Sequence, residues 1–155
     1  KDWFCEMKNA QILGLASGGG QQMPIFAALG AKCTVLAYSE KQLLREKEVA
    51  ERENYEIKTV RADMTNPLPF EDDSFDLIFH PVSNCYIEDV LPVWKECYRV
   101  LKKGGILLAG LDEEQIGGQL RAGFVLSDIY QDTNGLGRLH EFNVPTFYAT
   151  RAIKK

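Results

Sequence analysis

The sequence lacks several features that define large classes of protein. No apolar run among its 155 residues is long enough to cross a bilayer, and no signal peptide with a charged and then an apolar stretch follows Lys1. It has only two histidines, and its four cysteines are scattered without a C-x-x-C spacing, which argues against a zinc site. We therefore expect a cytoplasmic protein with reduced thiols and no metal, in which Cys33 and Cys97 fill the core.

Acidic residues outnumber basic ones, 22 to 18. The net charge is -4, and there is no cluster of lysines and arginines of the kind that binds nucleic acid or an anionic membrane surface. The apolar fraction of 45% is ordinary for a globular protein, and the length suits one domain with a real core. These absences favour a small molecule over nucleic acid or a membrane as the partner, although they do not exclude a protein.

One glycine-rich stretch stands out, Q-I-L-G-L-A-S-G-G-G-Q-Q from Gln11 to Gln22. A short apolar run ends in three consecutive glycines, and a second apolar segment follows, which predicts a buried strand, a tight turn and the start of a helix. Glycines permit positive φ and let a ligand approach bare backbone, and a helix start presents N–H donors. The pattern predicts a site for a nucleotide-like or carboxylate-bearing ligand; the alternative is a turn whose glycines serve packing alone.

Strand-like and helix-like segments alternate along the rest of the chain. Ser39–Gln42 matches a capping box for a charged helix, whose charges we expect to form a solvated face. The clearest helical pattern runs from Glu88 to Leu101 and is expected to end at Gly104 and Gly105. Seven strands are predicted, at 12–16, 32–38, 57–63, 75–80, 106–111, 124–130 and 146–153.

This alternation predicts a doubly wound α/β fold, with a mostly parallel sheet and helices on both faces. The loop before the last strand is too short for a crossover helix, so the last two strands should be antiparallel. Ligands bind such sheets at the carboxyl ends of the strands, where the strand order reverses. Strands one and four are neighbours there, which brings 16–22 beside 80–84, with Tyr38 and Asp63 on the same rim.

Two common nucleotide fingerprints are absent. The dinucleotide pattern G-x-G-x-x-G, started at Gly18 and Gly20, would need a glycine where Met23 stands. A phosphate-binding P-loop would need Gly-Lys-Ser or Gly-Lys-Thr, and the chain has neither. These failures speak against another kind of Rossmann nucleotide-binding protein, which we keep as a third hypothesis.

Four short motifs follow one another along the chain. They are L-A-S-G-G-G-Q-Q at 15–22, R-A-D-M at 61–64, F-D-L-I at 75–78 and the segment 99–105. Together they resemble class I S-adenosylmethionine-dependent methyltransferases of the type 11 kind, and the A-S-G-G-G-Q-Q variant resembles a subgroup found mostly in bacteria. The resemblance covers nearly the whole chain, and it implies a single domain, 1–155, with a Rossmann-like sheet in the order 3-2-1-4-5-7-6.

The resemblance implies an S-adenosylmethionine site at the glycine turn and the neighbouring strand ends. By that resemblance, the cofactor-binding residues are Ala16, Ser17, Gly18, Gly20 and Gln21 at the turn, Tyr38 and Ser39 by the ribose, Asp63 and Met64 by the adenine, and His80. The Asp63 carboxylate would accept a hydrogen bond from the exocyclic amine; the alternative is an acid that serves a strand-end turn.

Methyl transfer from a sulfonium is a single displacement, which needs positioning more than acid–base chemistry. His80 is the one side chain at the switch point that titrates near neutral pH, and we predict that it acts with Asn84 and Tyr86 on the acceptor side. Tyr86 would also stabilise the sulfonium charge by a cation–π contact. The alternative is a histidine held at its strand end for structural reasons.

Two positions depart from the family pattern. The acid that usually ends the second strand and holds both ribose hydroxyls is replaced by Ala37, a loss of about 1.5–3 kcal/mol, or ten- to a hundredfold in affinity. Gly14 and Ala16 stand where the family often has an acid and a glycine. The leading hypothesis is therefore a methyltransferase acting on a small molecule, and the second is an inactive module or partner subunit that binds the cofactor without turnover.

The chain is also short at two points compared with the family. Strand five passes at Leu111 directly into Asp112, where related enzymes carry an insertion that covers the substrate. Lys1 likewise lies close to the first strand. We expect a mobile covering segment to be absent between Leu111 and Asp112, the alternative being a minimal, open site, and we expect a further segment to be missing before Lys1.

Overall fold

A computed structural model describes residues 3–81, 87–111, 115–132 and 147–155 of the chain. Within those residues lies a seven-stranded sheet in the order β3-β2-β1-β4-β5-β7-β6, which confirms the predicted Rossmann-like topology. The elements are β1 (Gln11–Leu15), α1 (Met23–Ala28), β2 (Lys32–Ala37), α2 (Glu40–Glu53), β3 (Ile57–Arg61), β4 (Phe75–His80), α3 (Leu91–Val100), β5 (Leu101–Leu111), α4 (Ile116–Arg121), β6 (Val125–Asp132) and β7 (Phe147–Ile153).

The first five strands are parallel, and all of them except the edge strand β3 are largely buried on both faces. Successive residues of a strand point to opposite faces, and both Ile12 and Leu13 of β1 are fully buried, as a continuous apolar run predicts. One face carries the core around Trp94 of α3, and the other carries the core around Phe26 of α1. The sheet is therefore the middle of three layers.

The final strand β7 lies antiparallel to both β5 and β6, which confirms the prediction made from the short connection. Residues 133–146 of that connection fall outside the described part of the chain. None of the described helices is both long and apolar enough to span a membrane.

The boundary between α3 and β5 was predicted wrongly. The helix ends at Val100, and Leu101 already begins a strand that continues through Gly104 and Gly105. Leu101 pairs with Phe75 of β4, across a register shift that precedes the regular pairing. The glycines do not cap a helix, because Gly104 N–H donates to the Lys154 carbonyl oxygen at 2.8 Å and the Gly105 carbonyl accepts from Lys154 N–H at 3.1 Å.

The strand register defines a level at the carboxyl ends of the parallel strands. Gly14 of β1 pairs with both Val35 and Phe79, and Phe79 pairs with Leu108 of β5. Two residues further along each strand lie Ala16, Ala37, Pro81 and Gly110, and Gly110 pairs with Ala149 of β7. We call these five residues, Ala16, Ala37, Pro81, Gly110 and Ala149, the carboxyl rim.

Candidate functional site

The glycine turn lies against one face of α2. A Cβ atom at Gly18 would come within 3.0 Å of Gln42 Cβ, and one at Gly20 would come within 2.9 Å of Val49 Cβ. Gln42 and Val49 are seven residues apart, and Glu46 lies between them on the same helical face. Two glycines of the motif are therefore required by their close approach to α2, whatever else binds at the turn.

Glu46 of α2 anchors the glycine turn through a hydrogen bond. Its side chain is fully buried, its Oε2 accepts a hydrogen bond from the Gly20 N–H at 2.6 Å, and the Tyr55 hydroxyl donates to its Oε1 at 3.5 Å. Burial raises the pKa of Glu46, while the backbone N–H groups of Gly20 and Gly19 act in the opposite direction. The expectation that the charges of α2 all belong to a solvated face is wrong at this position.

The helical spacing of α2 already indicates that Glu46 is buried. The buried residues of α2 are Leu43, Glu46, Val49 and Ala50, so the glutamate lies on the apolar stripe of the helix. An acid on such a stripe needs a partner, because burying an unpaired charge is strongly unfavourable.

The backbone of the turn is strained at a residue other than glycine. Ala16 has a φ of 52°, in the left-handed region that costs an L-residue about 1–2 kcal/mol. Its N–H donates to the Leu36 carbonyl oxygen at 2.8 Å, which holds this conformation. Next to it, the buried Ser17 Oγ has no hydrogen-bond partner among the described residues. Strain and an unsatisfied hydroxyl both occur where β1 ends at the carboxyl rim.

A cavity of about 300 Å³ opens at the carboxyl ends of β1, β2 and β3. It brings together four of the predicted cofactor residues, Ala16, Tyr38, Asp63 and Met64. The remaining walls are Leu36, Ala62, Thr65 and Ile87. Among the described residues, its walls do not include the other predicted positions at the turn and at the start of α2, namely Ser17, Gly18, Gly20, Gln21 and Ser39. The Ser39 hydroxyl instead caps α2, as predicted, by accepting from the Gln42 N–H at 3.4 Å.

Asp63 forms a turn after β3. Its Oδ1 accepts from the Thr65 N–H at 2.9 Å and from the Thr65 hydroxyl at 2.7 Å. These bonds lower the pKa of Asp63, so the side chain is a carboxylate at neutral pH. Asp63 therefore serves the strand-end turn, which was the alternative role considered for it. Because both hydrogen bonds use Oδ1, they leave Oδ2 as an acceptor at the cavity wall.

His80 is fully buried at the end of β4. Its Nδ1 lies 2.8 Å from the Leu15 carbonyl oxygen, which can only accept, so Nδ1 carries the hydrogen and Nε2 of the neutral ring does not. Burial lowers the pKa of His80 to about 4, and the ring packs edge-on against Trp94 with centroids 5.5 Å apart. The structure gives His80 a clear structural role between β1 and β4, while its role toward an acceptor stays a prediction. Asn84 and Tyr86 lie outside the described residues.

Ala37 occupies the position at which the resemblance predicts an acid for the ribose. Ala37 is 2% exposed, and its Cβ lies 3.4 Å from the position that a Cβ on Gly18 would occupy. Glu40, the nearest acid in the sequence, is on the surface, where it accepts from Arg61 Nη1 at 3.1 Å. Within the described ranges, no group of three or more side chains suited to metal binding occurs.

Comparisons with known proteins identify the family of the chain. A methyltransferase-domain family matches residues 13–109. The uncharacterized methyltransferase YbaJ of Bacillus subtilis (strain 168) is 37% identical over 206 aligned positions, which cover 99% of this chain and 80% of that protein. Because 206 positions exceed the 155 residues of this chain, the relative has residues inside the alignment that have no counterpart here.

Solved structures share the fold at lower identity. An S-adenosylmethionine-dependent methyltransferase from Mesorhizobium loti superimposes with a TM-score of 0.81 at 20% identity, covering 97% of this chain and 94% of that one. The [4+2]-cyclase SpnF superimposes with a TM-score of 0.82 at 16% identity, covering 95% and 76%, so the fold alone does not determine the reaction. The family match over most of the chain and the predicted strand order together show that the protein belongs to the class I S-adenosylmethionine-dependent methyltransferases.

Proposed function

We propose that this protein transfers the methyl group of S-adenosylmethionine to a small-molecule acceptor, with the nucleoside in the cavity lined by Ala16, Tyr38, Asp63 and Met64. Family membership supports methyl transfer in general. The observation that carries the placement is the 300 Å³ cavity itself, which lies at the carboxyl ends of parallel strands where such folds bind ligands.

The described residues fit the cofactor chemically. Leu36, Met64 and Ile87 offer apolar walls to a flat base, and the Asp63 carboxylate is ionised and suited to accept from an exocyclic amine. The unsatisfied Ser17 hydroxyl lies at the turn, where a polar ligand group would complete its hydrogen bonding. The weak point of the fit is the ribose, because Ala37 supplies no acceptor.

When bound, S-adenosylmethionine supplies a methyl carbon that is already electrophilic because it is attached to a sulfonium. The chain therefore has to orient the acceptor and exclude water, and it needs a base only where the acceptor must lose a proton. His80 is deprotonated at neutral pH, yet a pKa of about 4 makes it a weak base. This favours acceptors that are nucleophilic without assistance, with His80, Asn84 and Tyr86 as the proposed acceptor-side residues.

The acceptor is proposed to be small for two reasons. The net charge of -4 is unfavourable for binding a nucleic acid, and the described cavities have the dimensions of small ligands rather than of a polypeptide. The thiols of Cys5, Cys33 and Cys97 are free, which supports a cytoplasmic setting. We further propose that the extra residues of the Bacillus relative include a segment over the substrate, and that this chain lacks them between Leu111 and Asp112.

A protein that binds the cofactor without turnover is the second candidate, and Ala37 is the observation that favours it. Calorimetric titration with S-adenosylmethionine, S-adenosylhomocysteine and NAD tests both candidates at once. We expect both sulfur compounds to bind and NAD to fail. Formation of S-adenosylhomocysteine with a panel of small amines, thiols and carbon acids would then establish turnover, whereas binding of NAD alone would exclude both candidates.

A further inference from the structure

A second cavity, of about 250 Å³, lies between the N-terminal segment and the sheet, on the far side of the carboxyl rim. Aromatic and aliphatic groups form most of its walls, and these include Trp3, Phe4, Phe79, Leu108, Gly110 and Ala149. Two polar residues, His80 and Thr150, also line it, and the buried Thr150 hydroxyl has no hydrogen-bond partner among the described residues. A charged or strongly polar ligand would recover little of its hydration from these two groups, so the walls select a mainly apolar occupant.

The register places this cavity relative to the proposed cofactor site. Pro81, Gly110 and Ala149 line the cavity and belong to the same level of the sheet as Ala16, which lines the cofactor cavity. Neighbouring strands are about 4.8 Å apart, and β5 is two strands from β1. Pro81 follows β4, the strand that lies between them, so along the rim the linings of the two cavities approach to about 5 Å. The cavities open on opposite faces of the sheet, because Leu36 and Met64 belong to the core around Trp94, whereas Phe79 belongs to the core around Phe26.

The wall opposite the sheet is held by specific contacts. Arg151 of β7 donates from Nε to the Trp3 carbonyl oxygen at 3.1 Å. The Phe4 ring packs against Phe26 with centroids 6.0 Å apart, and Phe26 packs edge-on against Phe79 at 5.5 Å. The cavity thus has a defined shape, and it is not merely a gap beside a loose end of the chain.

The volume sets the size of the occupant. An apolar cavity of about 150 Å³ binds a benzene ring, so 250 Å³ accommodates one ring with a short substituent. An unfilled apolar cavity lowers stability in proportion to its size, and an apolar ligand recovers that free energy on binding.

We propose that this cavity binds the apolar, ring-sized part of the methyl acceptor, so that the reacting atom lies towards Pro81 and the cofactor cavity. This inference rests on the proposed function, since it identifies the substrate class of the same site. The acceptor is then a small molecule with an aromatic or cyclic aliphatic group next to its nucleophilic atom.

Benzyl alcohol is a suitable probe, because it has one ring and a short polar substituent. Its binding to the full chain can be followed by the NMR signals of side-chain methyl groups, with and without S-adenosylhomocysteine. We expect roughly millimolar affinity for so small a ligand, with the largest shifts at Leu108 and Ala149. Shifts confined to other regions, or no saturable shifts, would overturn the proposal.

Replacing one alanine by leucine in each cavity distinguishes the two sites. Ala149→Leu fills the apolar cavity and is expected to weaken benzyl alcohol binding at least tenfold while leaving S-adenosylhomocysteine binding unchanged. Ala62→Leu fills the cofactor cavity and is expected to do the reverse. If S-adenosylhomocysteine binds and benzyl alcohol does not, the inference fails and the proposed function stands. If benzyl alcohol binds as described and S-adenosylhomocysteine does not, the proposed function fails, and with it the identification of the occupant as a methyl acceptor.

Discussion

The Gly20 N–H donates to Glu46 Oε2 at 2.6 Å, and the carboxylate that receives it is fully buried. The turn expected to present its N–H groups to a ligand therefore gives at least one of them to α2. Because this acceptor is buried against the turn, Glu46 holds the glycine backbone in one conformation before any ligand arrives. This makes α2, and not the glycines alone, responsible for the shape of the site.

Replacing Glu46 tests this role. Glu46→Ala removes the acceptor of the partly buried Gly20 N–H and creates a cavity, so we expect a loss of about 2–4 kcal/mol in the free energy of unfolding, together with weaker S-adenosylhomocysteine binding. Glu46→Gln keeps an acceptor oxygen and should lose only about 1 kcal/mol. Urea unfolding and calorimetry measure both quantities.

Glu48→Ala is the matched control on the same helix. Glu48 forms an exposed ion pair with Arg45 at 3.1 Å, and such pairs contribute about 0–1 kcal/mol. Equal losses from Glu46→Ala and Glu48→Ala would contradict the assigned role of Glu46.

His80 should make the protein less stable in acid. Its pKa is about 4 when folded, against 6.5 for an unperturbed histidine, so the unfolded chain takes up the proton first as pH falls. The free energy of unfolding should therefore be fully retained above pH 6.5 and drop by roughly 3 kcal/mol as pH falls to 4. The pKa of Glu46 is raised, so its effect on the free energy of unfolding has the opposite pH dependence. Its stabilising contribution is present at low pH and is lost as pH rises through the folded pKa.

NMR distinguishes the titration of His80 from that of Glu46. The ring signals of His80 should show no titration until about pH 4. The neutral variant His80→Asn, which keeps a side-chain donor for the Leu15 carbonyl, should lose the acid dependence between pH 6.5 and 4. A His80 ring that titrates near 6.5 would show that burial does not control its charge.

Ala16 offers a test of stored backbone strain. Ala16→Gly removes the left-handed strain at a φ of 52° but adds chain entropy to the unfolded state. We expect a net gain of about 0.5–1 kcal/mol. Ala28→Gly, at an exposed position of α1, should lose up to about 1 kcal/mol, so the two substitutions should shift the unfolding midpoint in opposite directions. A loss in both would mean that Ala16 is unstrained.

Restoring the missing acid tests the ribose position. Ala37→Asp buries a carboxylate that has no partner in the free protein, so the free energy of unfolding should fall by roughly 1–3 kcal/mol. With the ribose hydroxyls as partners, the same substitution should tighten S-adenosylhomocysteine binding ten- to a hundredfold. The uncharged Ala37→Asn should gain about three- to tenfold. If calorimetry shows unchanged or weaker S-adenosylhomocysteine binding in Ala37→Asp, the ribose does not lie at this part of the rim.

The strand order could be predicted because it follows from local signals. Short apolar runs alternate with helices, and right-handed crossovers leave few arrangements of such units. The start of β5 could not be predicted, because Lys102 to Gly105 resemble a helix end and become a strand only through pairing with residue 154.

The site was predictable where it depends on strand ends, and less so where it depends on packing. Ala16, Tyr38, Asp63 and Met64 meet at one cavity because parallel strands end at one edge. Glu46 was missed because its burial depends on contact between α2 and a turn 26 residues earlier. The low pKa of His80 likewise comes from the burial of its ring against β1 and α3, which spacing along the chain does not reveal.

The central claim is that S-adenosylmethionine binds in the cavity at the ends of β1, β2 and β3. The most direct test is titration of the protein with S-adenosylhomocysteine, followed by the NMR signals of the methyl groups of Ala16, Ala62 and Met64, with NAD in a parallel titration. The account predicts saturable shifts at these three methyl groups with S-adenosylhomocysteine, loss of the Ala16 and Met64 shifts in Ala62→Leu, and no such shifts with NAD. Shifts from NAD alone, or S-adenosylhomocysteine shifts that leave these three methyl groups unchanged, would contradict it.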